Sequence, residues 1–103
     1  NVLRNRDFGI DQYWLDVTAF RAMNTTYFNT STRPMFVVIA GNPSNLPERL
    51  ILTIGGVVVW NQNIDGENTD TNVVVSGVIP PSSSYNVTTD GNNTTISRWV
   101  ELR

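Results

Sequence analysis

The chain has 103 residues, enough for one domain with a modest core. It is 40% hydrophobic and 16% charged with a formal net charge of −2, a folded composition without the basic surplus that nucleic-acid binding requires. Cys and His are both absent, which excludes disulfides, zinc–thiolate sites and thiol nucleophiles, and removes the commonest general base.

Short period-two segments separated by turn residues run along the chain. Tyr13–Thr18 reads as a strand, Thr18–Met23 has room for one helical turn, and Thr25–Asn29 reads as a second strand. Met35–Ala40, MFVVIA, is a continuous apolar run, the pattern of a strand buried on both faces. Alternate members, Val37 with Ile39 or Phe36 with Val38, are expected to be fully buried. Asn42–Pro47 reads as a turn. Arg49–Ile54 and Val57–Trp60 flank Gly55-Gly56, a hairpin signal through a turn that needs positive φ. Asn61–Asn72 is the longest polar stretch and reads as a loop. Val73–Ile79 is a strand whose Gly77 suggests a bulge, and Pro80-Pro81 ends it. Tyr85–Thr88, a turn at Asp90-Gly91-Asn92 and Thr95–Leu102 complete the chain, with Ile96 and Trp99 as apolar anchors. About eight short strands with regular turns predict an all-β fold, an antiparallel β-sandwich.

No run of about 18 apolar residues exists, so no membrane span or insertion is expected. All basic residues are Arg, whose planar fork suits bidentate pairs and interfaces. The chain begins at Asn1 without Met and reads as a piece of a longer protein, the first twelve residues leading in from an upstream part.

Three blocks carry a resemblance. The first holds Gly9 to Gln12 and Trp14, then Asp16-Val17-Thr18, Arg21, Thr25-Thr26-Tyr27, Asn29 and Arg33-Pro34. The second is Ile79-Pro80-Pro81 with Ser84-Tyr85, and the third is Ile96, Trp99 and Glu101-Leu102-Arg103. Together they resemble the C-terminal, distal domain of bacteriophage and prophage tail fibres. Asp11, Thr32 and Ser82 stand where that pattern has Gly; at the last two this bears on turn geometry, because Thr and Ser resist positive φ. The resemblance implies residues 1–12 as a lead-in from a fibre shaft and 13–103 as one tip domain. It implies a homotrimer at the fibre end of a virion, made in the bacterial host cytoplasm and facing a cell-surface glycan or outer-membrane protein. A trimer contact is expected to include the apolar side chains near Asn1–Trp14 and an Arg–carboxylate pair. Two other readings stay open: a carbohydrate-binding module of a larger depolymerase or adhesin, and a structural cap that trimerises the fibre.

Candidate sites follow from residue type. Trp14 and Trp99 read as core or subunit contact, since a large ring in a domain this size is usually structural. Arg21, Arg33, Arg98 and Glu101 read as a salt-bridge network within or between subunits. Trp60 ends VVVW and opens Asn61-Gln62-Asn63. It reads either as a strand-end cap over the core or, with Asn61, Asn63 and Asp65, as a receptor site. In the second case its ring would stack on a pyranose face while amides take the hydroxyls. Asp65, Glu67 and Asp70 gather three carboxylates in six residues but lack EF-hand spacing, so a solvated loop is expected and no metal. Ser82-Ser83-Ser84 has no His or Lys beside it, and no distant carboxylate pair is evident, so no enzyme and no cofactor are expected.

Overall fold

The computed structural model describes residues 9–43, 48–64, 73–91 and 94–103, with the side chains of Asn63 and Ile64 left aside. Eight strands form two sheets: β1 Trp14–Asp16, β2 Tyr27–Phe28, β3 Met35–Pro43, β4 Glu48–Ile54, β5 Val57–Ile64, β6 Val73–Ile79, β7 Ser84–Thr89 and β8 Thr94–Leu102. One sheet has the order β1-β8-β3-β6 and the other β2-β7-β4-β5, with every pairing antiparallel. The chain is therefore an antiparallel β-sandwich, as the strand pattern predicts. Apart from the β4–β5 hairpin, each successive strand lies in the opposite sheet.

The inner faces follow the period of two. Val37 and Ile39 of β3, Leu50 and Leu52 of β4, Val75 and Ile79 of β6, and Tyr85 and Val87 of β7 are fully or almost fully buried around Trp99. Val37 with Ile39, and not Phe36 with Val38, is thus the buried pair of the MFVVIA run. That run is not buried on both faces in the single chain: Phe36, Val38 and Ala40 are half-buried on the outer side. A sandwich covers each sheet once, and the second sheet lies on the other face.

Local readings fare unevenly. The Gly55-Gly56 turn joins β4 to β5 with φ of 59° and 83°, the left-handed pair of a type I′ hairpin. A 3₁₀ turn at Thr18–Phe20 stands where one helical turn has room. Asn42 and Pro43 extend β3 and do not turn, while 44–47 lie outside the described residues. Gly77 is not a bulge. It pairs in register with Val37, and a Cβ there would meet Ile54 Cδ1 at 3.0 Å and Leu52 Cδ2 at 3.1 Å. The glycine lets the two sheets approach. The bulges fall instead at Val59, opposite Leu52/Thr53, and at Ser97, opposite Ala40/Gly41.

Of the three residues at Gly-like positions, Asp11 and Ser82 do adopt left-handed backbone, with φ of 55° and 65°. Ser82 holds this because its N–H donates to Asn29 O at 2.9 Å. Left-handed strain of about 1–2 kcal/mol outweighs the unfolded-state entropy of about 0.4–1 kcal/mol that a glycine adds. Ser82→Gly is therefore expected to stabilise the domain by about 0.5–1 kcal/mol, seen as a melting midpoint higher by a few degrees. A lower midpoint would show that the Ser side chain offsets the strain.

Candidate functional site

The three blocks singled out in the sequence meet in space. Asn29 is buried, and its Nδ2 donates to Arg33 O at 2.7 Å and Ile79 O at 3.0 Å. Its Oδ1 accepts from Ser31 N and Oγ, and its backbone N–H donates to Ser83 O. Every polar group of this side chain is satisfied, and the TTYFN turn is fastened to IPPSSS. The DVT stretch clamps the edge of β8. Val17 N donates to Trp99 O at 2.8 Å, and Thr18 Oγ1 accepts from Trp99 N at 2.9 Å while donating to Asp16 Oδ1. Asp16 Oδ2 takes Arg98 Nη1 at 2.7 Å. Hydrogen bonds from Thr18, and then Arg98, hold the Asp16 carboxyl below its ordinary range.

Behind this edge lies a buried polar network. Trp99 Nε1 donates to the Tyr85 hydroxyl at 3.1 Å, and that hydroxyl donates to Glu101 Oε2. Arg21 closes on the same carboxylate with Nε to Oε2 and Nη2 to Oε1, both 3.1 Å. Arg103 reaches Oε1 at 3.3 Å from a half-exposed position. The Arg21 guanidinium also lies 4.6 Å from the centre of the Tyr27 ring. Burial, and then the bond to Glu101, pushes the Tyr85 hydroxyl well above its usual range. Burial opposes the Arg21 charge, but Glu101 and Tyr85 more than offset it, and the group is shifted up. Trp99, Arg21 and Glu101 are thus structural residues of the interior, in line with their sequence reading. Tyr27 and Tyr85, members of the resembling blocks, belong to the same network but are not among the candidate site residues read from the sequence. Each lies two positions from a buried residue, Asn29 and Val87, which was the available signal.

Two members of the expected salt-bridge set behave differently. Arg98 pairs with Asp16 and not with Glu101. Arg33 has no carboxylate partner among the described residues; Nη1 donates to Asp11 O at 3.1 Å, while Nε and Nη2 are buried without a hydrogen-bond partner. Trp14 is not core. It is half exposed on the outer side of β1, with its ring edge-on to Phe36 at 6.0 Å.

The receptor-site candidates lie on β5, and Asn61 does not open a loop. β5 continues to Ile64, pairing Asn61 with Ile51, Gln62 with Leu50 and Asn63 with Arg49. Polar residues suit this edge strand because its second edge pairs with no described strand. Strand alternation divides the candidates. Trp60 shares a side with Gln62, whose Oε1 accepts Trp60 Nε1 at 3.4 Å; Asn61 projects to the opposite, outer side. Asn63 occupies an outer-side register position opposite Arg49. Asp65, with Glu67 and Asp70, lies outside the described residues. Trp60 sits opposite Leu52 on the inward side of β5 and is 40% exposed, so part of it packs at the rim of the core and part meets solvent. Gln62, missed in the sequence because the stretch read as loop, is the amide that period-two spacing places beside it. Among the described residues no group of three His, Cys, Asp or Glu is placed to hold a metal ion.

No protein-family model matches the chain, and neither the curated proteins nor the solved structures give a match to it.

Proposed function

We propose that this chain is the distal domain of a phage tail fibre, a non-enzymatic binding module that attaches the virion to a bacterial cell-surface glycan or outer-membrane protein. It acts as a homotrimer at the fibre end, made in the host cytoplasm and carried on the virion. The observation that supports this most is the convergence of the three resembling blocks. Residues 50 or more positions apart, such as Arg21 with Glu101 and Asn29 with Ile79, contact one another directly. The resemblance therefore rests on one packed unit and not on scattered short matches.

Within this reading the Trp60–Gln62 side of β5 is the receptor contact, an exposed ring beside an amide on an open strand edge. Each site is weak alone, and three copies on a fibre add avidity without new contacts. Trp60→Ala is expected to raise the concentration for half-maximal binding to susceptible cells by roughly tenfold or more, because aromatic anchors carry much of a small interface. Asn61→Ala, on the opposite side of the strand, tests which side is used. The measurement is cell binding by fluorescently labelled trimers across a panel of bacterial strains, on protein whose fold is verified by circular dichroism. Saturable binding of the wild type that Trp60→Ala leaves unchanged moves the site off β5. No binding to any strain favours the structural cap.

A further inference from the structure

The outer faces of the two sheets differ in chemistry. On the sheet β2-β7-β4-β5 the outward positions are mostly polar, Asn86, Thr88, Thr53, Asn61 and Arg49 among them, with Phe28, Ile51 and Val58 apolar, and Arg49 is paired with Asp90. That face is the more polar of the two. On the sheet β1-β8-β3-β6 the register sets Trp14, Leu102, Phe36 and Val78 in one row across all four strands. The next row holds Val100 and Val38, and the third places Ala40 beside Val74. Trp14, Val74 and Val78 are 53%, 46% and 44% exposed, and no described element covers the face.

We propose that this outer face is the surface through which copies of this chain pack against one another; the inference rests on the homotrimer reading and names its contact. Three features favour a second copy as the occupant. First, β3 and β6 carry apolar residues on both sides, MFVVIA and VVVSGVI, a pattern that belongs to sheets covered twice. One cover is the second sheet of the sandwich, and the chain supplies no other among the described residues.

Second, the charges of the face cancel. Asp16 and Arg98 are joined at 2.7 Å, so a like surface can approach without repulsion and without an uncompensated charge. A neutral apolar face meets its own chemistry in another copy, whereas a glycan or nucleic acid offers it nothing to match. Third, the face is broad. Four strands at ~4.8 Å spacing and three rows at about 7 Å spacing span roughly 300–400 Å² in plan, with Asp16, Ser76 and Arg98 the polar positions within it. Val59 of β5, 48% exposed, lies beside Gly77 of β6 and adds apolar surface at that edge. Three copies with this face turned inwards bury it about a shared axis and leave the polar face and the Trp60 side outward.

The test places charges where a monomer tolerates them. Val78→Lys and Val74→Glu sit at exposed positions, so neither disturbs the fold of a single chain. Thr88→Lys, on the polar face, is the matched control. Sedimentation velocity on the full chain is expected to show a wild-type trimer at micromolar concentration and an unaltered trimer for Thr88→Lys. Both valine variants should dissociate, with the dissociation constant raised by roughly 100-fold or more, since desolvated or like charges at a contact cost several kcal/mol. Near-ultraviolet circular dichroism from Trp99 should be retained. Valine variants that remain trimeric overturn the assignment of this face while the trimer stands. A wild-type monomer at micromolar concentration overturns the trimer itself.

Discussion

Trp99→Ala is expected to lower the stability of the folded domain by about 3–5 kcal/mol, the range for removing a fully buried large ring. The indole is 0% exposed and touches both sheets. It meets the Tyr27 ring edge-on with centroids 5.9 Å apart and the Tyr85 ring at 6.2 Å. Its backbone is held on one side by Ile39 of β3 and on the other by Val17 and Thr18. None of these neighbours can fill the vacated space, because each is fixed by its own ladder. Domains of this size are stable by about 5–15 kcal/mol, so the loss is roughly a fifth of the total or more. Urea unfolding should give a lower midpoint at an unchanged slope. Trp99→Phe separates packing from the hydrogen bond to Tyr85. It keeps an aromatic ring and gives up the Nε1 donor, so a loss of about 1–2 kcal/mol is expected. A loss below about 1 kcal/mol for Trp99→Ala would mean that the core closes over the gap, contrary to close packing.

What was legible in the sequence is what local physics decides. The alternation in Met35–Ala40 named Val37 and Ile39 as one of two candidate buried pairs, and Gly55-Gly56 specified the hairpin through its backbone alone. The misreadings share a different cause. Gly77 is small because Leu52 and Ile54 of the other sheet come close, and a contact between sheets leaves no local trace. Asn61–Ile64 were read as loop because they are polar, yet an edge strand needs only one partner and tolerates polar residues at its rim. That error joined Asn61 to Trp60 in one site, where strand geometry puts Gln62 beside the ring and Asn61 behind it. The apolar run of β3 did predict two covered faces, and the single chain covers one.

Arg21→Ala should be nearly as damaging, and by a mechanism that a second substitution exposes. Glu101 is 1% exposed and accepts two hydrogen bonds from Arg21, one from Tyr85 and a contact from Arg103. Removing one partner of a buried pair costs about 3–5 kcal/mol, because the remaining charge is left in a poor solvent. Arg103 stays at 3.3 Å, which puts the expected loss near the lower end, about 3 kcal/mol at neutral pH. Arg21→Lys keeps a cation but neither the fork nor the stacking on Tyr27, so it should fall between wild type and Ala. A double-mutant cycle with Glu101→Gln separates charge from packing. If the charge of Glu101 carries the loss, Arg21→Ala should cost much less in the Glu101→Gln background, because no buried charge is then left without its partner. Urea unfolding of the four proteins decides the matter. A cost of Arg21→Ala that is the same in both backgrounds would show that Arg21 acts through its packing on Tyr27 and not through the charge of Glu101.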